Sequence, residues 1–233
     1  MIAPSPLLIG LDYAGVAVFA ATGALAAARK KHDLVTFAFF AAVTGIGGGT
    51  LRDLLIGAPV FWVQDASYVA VCIVAACAVW ILGARPWRLG ALLWLDALGL
   101  AAYGVIGAAK AASYGVPPLV CIVMGALTAC FGGVVRDVLA GEPSVLLRRE
   151  ITVSAAILAA TVFVLLRWAG VEALPSAAAG FVAGFALRAG ALSRGWALPG
   201  FHGMAPGEDQ RSDEIRGGPP AAGDGNEPPR SGA

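Results

Sequence analysis

Charge is what this 233-residue chain has least of: Asp, Glu, Lys and Arg together make up 13% of it, roughly half of the about 25% usual in a soluble domain. That deficit excludes an intrinsically disordered chain and an ordinary water-soluble one. Histidine occurs twice and cysteine four times. Cys72, Cys77, Cys121 and Cys130 all fall within apolar runs, without a Cys-x-x-Cys spacing or a neighbouring His, and read as small buried hydrophobes rather than as metal ligands or a disulfide framework. His32 and His202 stand without partners for a metal or acid–base role. No phosphate-binding glycine loop, nucleophile elbow or zinc signature is present, so enzymatic activity is not expected. The first apolar run has no basic segment ahead of it, which reads as a retained helix and not a cleaved signal peptide.

What is abundant is apolar surface. Hydrophobic residues make up 58% of the chain and the mean hydropathy is +0.78. Several runs approach the ~20 residues that a helix needs to cross a ~30 Å hydrocarbon core. Read between charge and Pro/Gly clusters, the spans lie near 7–28, 34–57, 66–83, 89–112, 116–140, 151–170 and 174–192. The expected fold is an all-α polytopic membrane protein with seven transmembrane helices. Trp62, Trp87, Trp94, Trp168 and Trp196 fall near span ends and read as interfacial anchors. Residues 203–233 hold three basic and six acidic residues among Pro, Gly and Ser, and read as a disordered tail.

The connections sort by charge. Arg29, Lys30, Lys31, Arg85, Arg88, Arg136, Arg148, Arg149, Arg188 and Arg194 fall on one side, against Arg52, Lys110 and Arg167 on the other. Positive residues are retained in the cytoplasm, so the N-terminus is expected outside and the C-terminus inside.

Shifting the chain by 84 positions superposes residues 11–82 on 95–166 without a gap and with 22 identities. Among them are Asp12 with Asp96, Gly15 with Gly99, Thr44 with Thr128, Gly48-Gly49 with Gly132-Gly133, Arg52-Asp53 with Arg136-Asp137, Gly57 with Gly141 and Pro59 with Pro143. A bias toward Ala and Val does not produce that register. Each copy carries three spans, an odd number, so the second copy enters the membrane from the opposite side. The expected architecture is an inverted 3+3 repeat, residues 7–83 and 89–170, plus a seventh helix over 174–192. Such pairs place a permeation path or substrate site between their halves.

Spans two and five carry the polar residues. Thr44 to Asp53 includes Gly47, Gly48 and Gly49, and Thr128 to Asp137 includes Gly132 and Gly133. Glycine costs about 1 kcal/mol in a helix interior, so the clusters predict a break lining a wet cavity, with close helix packing as the other reading. Depth along the spans predicts two symmetry-related ion pairs, Asp12 with Arg52 and Asp96 with Arg136, one at each mouth. For each Arg-Asp the other reading is a helix terminus, with Asp53 or Asp137 capping and the arginine snorkelling. Lys110, where the first repeat has Ala26, either snorkels to the interface or stands at the outer mouth as a gating charge. The hydroxyls of Thr22, Thr44 and Thr128 either meet a passing ion or bond back to their own helices.

Two tandem three-helix units with a Gly-Gly-x-x-Arg-Asp signature and a seventh helix resemble the bacterial branch of the trimeric intracellular cation (TRIC) channels, also labelled a glycine-transporter domain family. The resemblance spans nearly all of residues 7–192. It implies a homotrimer in a bacterial inner membrane, with an hourglass pore inside each protomer. That pore would be lined by spans one, two, four and five, bent at Gly47–Gly49 and Gly132–Gly133. It implies monovalent cations such as potassium or sodium as permeant species, membrane lipids as surroundings, no other cofactor and no nucleic-acid partner. Two departures from the animal members stand out: Thr50-Leu51-Arg52-Asp53 replaces their Lys-bearing motif, and Phe131 stands where the second cluster would have a third glycine. Animal-type lipid binding and calcium-linked gating are therefore not carried over. A secondary transporter of a small solute such as glycine is the alternative, because the same repeat suits alternating access.

Overall fold

Long runs of Ala, Leu, Val and Gly with polar residues at their ends form helices, and the computed structural model describes residues 6–83, 86–142 and 151–196. Arg85, Arg148, Arg149, Pro143, His202, the side chains of Trp87 and Arg88, and the 203–233 tail lie outside the described residues. The elements are α1 (Pro6–Arg29), α2 (Leu34–Leu55), α3 (Phe61–Gln64), α4 (Ser67–Leu82), α5 (Pro86–Ser113), α6 (Pro118–Ala140), α7 (Thr152–Trp168) and α8 (Ala173–Arg194). The seven expected spans fall on α1, α2, α4, α5, α6, α7 and α8. The single turn α3, in the connection after α2, was not anticipated.

The helix ends follow local chemistry. Asp33 caps α2, its carboxylate accepting from Thr36 N at 2.8 Å, and α6 opens on Pro118, whose missing N–H would be unpaired there anyway. Gly57 and Gly141, 84 residues apart, follow α2 and α6 with φ of 67° and 64°. That left-handed backbone is open to glycine and strained for residues with a Cβ.

By length and composition α2, the Leu93–Ser113 part of α5, α6 and α8 suffice to cross a hydrocarbon core, while α4 and α7 are shorter apolar helices. The outward faces are apolar too: Val35, Ile81, Leu119, Leu174 and Trp168 are all exposed. Water would not tolerate that exterior and lipid does. The protein is a multi-pass membrane protein.

Inside, alanine does most of the packing. Ala20, Ala24, Ala27, Ala41, Ala97, Ala101, Ala108, Ala155, Ala156, Ala159 and Ala160 are fully buried, because small side chains let helix backbones approach closely. The packing repeats with the sequence: α1 lies on α2 and α4, and α2 on α4, while α5 lies on α6 and α7, and α6 on α7. The largest contact between the two sets is α2 against α6, and α8 packs on α7 and α5.

The expected break at the glycine clusters is absent. Helix α2 runs without interruption through Gly47, Gly48 and Gly49, and α6 through Gly132 and Gly133. The clusters serve backbone approach instead. A Cβ built on Gly48 would collide with the carbonyl oxygen of Thr128, and one on Gly132 with the carbonyl oxygen of Thr44. These contacts exchange under the 84-residue shift. Tight packing of α2 on α6 offsets the intrinsic helix cost of glycine, so the backbone stays hydrogen-bonded to itself.

Candidate functional site

Where α1, α2, α5 and α6 meet there is a cavity of about 200 Å³. Asp12, Arg52 and Lys110 line one end of it together with Phe61 and Tyr68; Phe19, Tyr103, Thr44 and Thr128 line its middle. Gly48, Gly49, Gly132 and Gly133 also face it, whereas Gly47 does not. Asp96 and Arg136, the repeat counterparts of Asp12 and Arg52, are not among its lining residues. Among the described residues its lining extends to the Arg52–Lys110 end and not to the Asp96–Arg136 end.

The charges at that end are arranged differently from the expected pairing. Asp12 and Arg52 share the cavity, as depth predicted, but are not bonded to each other. Arg52 turns to its neighbour Asp53, with Nε and Nη2 each 2.8 Å from Oδ1. Lys110 neither snorkels nor stands alone: its Nζ lies 2.9 Å from both carboxylate oxygens of Asp53. The backbone N–H of Phe61 completes the set, donating to Asp53 Oδ2 at 3.1 Å. Asp53 is fully buried, and one carboxylate compensated by two cations and an amide is how a buried charge is retained. Of the helix-terminus reading, Asp53 does anchor the next segment through the Phe61 amide, but Arg52 does not snorkel: it is buried against Asp53.

The second repeat repeats the local geometry. Arg136 donates from Nε at 2.9 Å and from Nη2 at 2.8 Å to Asp137 Oδ1. Ala26, at the position corresponding to Lys110, is buried and brings no charge.

Asp12 is held by aromatic residues that sequence reasoning missed. Tyr68 donates its hydroxyl to Asp12 Oδ2 at 2.7 Å, and Tyr103 donates to the Asp12 backbone oxygen at 2.9 Å. Tyr13 stacks on Tyr68 with ring centroids 4.4 Å apart and donates to Asp65 Oδ2 at 2.6 Å. Ser67 donates to the same carboxylate, and these hydroxyl bonds, the Ser67 bond first, hold Asp65 below the usual carboxylate range. Trp62 bonds to Thr50 through Nε1 at 2.9 Å, so α3 is tied across the cavity mouth.

The threonines divide. Thr22 bonds to Phe19 O at 2.7 Å and Thr128 to Met124 O at 2.6 Å, the back-bonding alternative. Thr44 Oγ1 is buried against the cavity with no hydrogen-bond partner among the described residues. Among the described residues no cluster of three or more His, Cys, Asp or Glu is placed to hold a metal ion.

Comparison with known proteins gives the family. A family model described as Glycine transporter matches twice, over residues 9–84 and 93–168, one match per repeat. The UPF0126 membrane protein of Vibrio cholerae is 38% identical over 200 residues, covering 84% of this chain and 83% of its own. The UPF0126 inner membrane protein YadS of Escherichia coli K12 is 39% identical over 155 residues, 65% of this chain and 75% of its own. Among solved structures, the TRIC trimeric intracellular cation channel orthologue from Rhodobacter sphaeroides superposes with a TM-score of 0.77 at 45% identity, over 81% of this chain and 98% of that one. With both repeats matched and these relatives in register over most of the chain, the protein belongs to the family described as Glycine transporter, which holds the UPF0126 membrane proteins and the TRIC channels.

Proposed function

We propose that the protein is a monovalent-cation channel, permeable to potassium, with one pore inside each protomer of a homotrimer. The observation that carries this reading is the cavity between two sets of helices whose contacts exchange under the 84-residue repeat, in a fold shared with a cation channel. Seven membrane-crossing helices, arranged as an inverted 3+3 repeat with α8 outside it, account for those exchanged contacts. The pore is lined by α1, α2, α5 and α6. Asp12, Arg52, Asp53 and Lys110 form its outer mouth, and Asp96, Arg136 and Asp137 its inner one. Thr44 and Thr128 stand at mid-depth, beside the glycines at which α2 and α6 approach. The charge asymmetry of the connections supports an N-terminus outside and a C-terminus in the cytoplasm. The E. coli relative's description as an inner membrane protein supports that membrane.

With α2 and α6 helical throughout, their carbonyls are engaged within the helices. A cation passing the centre therefore keeps most of its water and is guided by side chains and the cavity field, which predicts weak discrimination between potassium and sodium. Recording of the purified protein in a planar bilayer under a KCl gradient tests the reading. Discrete openings that reverse near the potassium potential support it.

A second reading is a transporter of a small solute such as glycine. A cavity whose described lining reaches the Arg52–Lys110 end and not the Asp96–Arg136 end suits alternating access as well as a closed pore. Electrical silence together with saturable glycine uptake into liposomes would establish it and remove the channel.

A further inference from the structure

Two aromatic residues meet at the centre of the molecule, one of them, Tyr103, the residue that also holds the Asp12 backbone. Phe19 and Tyr103 stand 84 residues apart, on α1 and α5, and so occupy equivalent positions in the two repeats. Their rings meet, with centroids 5.5 Å apart, and both are buried while facing the cavity. Each lies over a glycine of the other repeat. A Cβ on Gly15 would collide with the Tyr103 ring, and a Cβ on Gly99 would sit 3.4 Å from the Phe19 ring. Gly15 and Gly99 are themselves 84 apart. A pair of side chains that exchange under the repeat lies where the two repeats meet, the one place where a single contact closes the path from both directions.

On α1 and α5 the lining of the cavity stops at this level. Ile106, one turn from Tyr103 toward the Lys110 end, lines it; Thr22, the equivalent residue one turn from Phe19, does not. The two rings differ by one hydroxyl. Tyr103 is tied through it to the Asp12 backbone oxygen at 2.9 Å, and Phe19 carries no polar tie. We infer that the Phe19–Tyr103 pair is the barrier that closes the cavity at mid-depth, with Tyr103 as its fixed half and Phe19 as the half that must swing for the path to become continuous. Two apolar rings in contact exclude water, and an ion cannot cross a dewetted constriction. The consequence for ion flux rests on the channel reading; the barrier itself does not.

The test is therefore made on accessibility as well as flux. In protein whose four cysteines are replaced, single cysteines are placed at Ile106 (I106C) and Thr22 (T22C). A membrane-impermeant methanethiosulfonate is then applied to right-side-out spheroplasts and to inverted membrane vesicles. Whichever preparation labels I106C marks the face to which the cavity opens. From that face T22C stays unlabelled in the parent, and adding Phe19→Ala raises its labelling on the order of tenfold as the constriction wets. Phe19→Leu, a milder truncation, gives an intermediate rate and guards against misfolding of the alanine variant. Tyr103→Phe keeps the ring and drops the tie, so it raises labelling less than Phe19→Ala does. Labelling of T22C from that face with both rings intact would overturn the barrier, and so would protection that survives both Phe19 variants. In liposomes the same Phe19 variants should pass potassium faster and admit tetramethylammonium. If the labelling pattern holds while no variant conducts, the barrier stands and the channel reading fails.

Discussion

Asp53 is the residue on which most of the polar structure converges. Its carboxylate sits between Arg52 and Lys110, accepts the Phe61 amide and is itself out of contact with solvent. Removing it leaves two cations facing each other, so Asp53→Ala should destabilise the fold by about 3–5 kcal/mol, the cost of breaking a buried pair. Thermal unfolding in detergent measures this. Lys110→Met is expected to behave differently, because Asp53 keeps Arg52 and the Phe61 amide. The mouth then changes from two formal positive and two formal negative charges to a net negative one. Cation conductance should rise, and rise more at low salt, where screening is weak; single-channel conductance across a KCl series checks it. Asp33 gives the pH-dependent case. Its bond from the Thr36 amide, at the exposed start of α2, holds its carboxyl below the usual value. A carboxyl with a lowered pKa in the folded protein contributes stability that is fully present above its unfolded value, near 3.8, and is lost as pH falls through the lower folded value. Asp33→Ala should lower the melting temperature at neutral pH, Asp33→Ser should largely retain it, and the alanine deficit should shrink below about pH 4. A deficit that is constant across that range would remove the cap from the explanation.

At the scale of elements, α2 and α6 show how a motif can be legible while its purpose is not. Two glycine clusters in one register, each followed by Arg-Asp, identify the helices that matter. Helix propensity, taken alone, predicts unwinding. Whether a costly glycine breaks a helix or brings it against a neighbour depends on what stands opposite, and for Gly48 that is the Thr128 backbone, 80 positions further along the chain. Gly48→Ala and Gly132→Ala should therefore each destabilise the protein by about 1–3 kcal/mol through overpacking. Gly47→Ala meets only the Gly132 Cα at 3.9 Å and should be neutral or stabilising by up to about 1 kcal/mol from helix propensity. Unfolding titrations of the three variants separate packing from hinge roles, since a hinge would make all three alike. The ion pairs illustrate the same gap. Spacing along a helix places Asp12 and Arg52 at one depth, but rotation about the axis and competition from Asp53, one residue away, decide the partner.

For the whole molecule, the membrane environment, the repeat and the Arg-Asp signatures were determined by the sequence alone. Each depends on composition or on order along the chain: a helix must bury its apolar length in lipid, and an internal duplication is visible wherever register survives. Three copies around one axis are expected from the family likeness, and native mass spectrometry of the detergent-solubilised protein should return three times the 23.5 kDa chain mass. Tertiary structure alone decided that Lys110 crosses to Asp53, that Tyr68 and Tyr103 hold Asp12, that α3 spans the mouth, and that Phe19 meets Tyr103 where the repeats join. Apart from the α3 bonds, which join residues 8 and 12 positions apart, these are contacts between residues 56 to 91 positions apart. Their partners are chosen by how helices rotate and cross, and that is set by the small residues packed between them rather than by any local preference of the residues that meet.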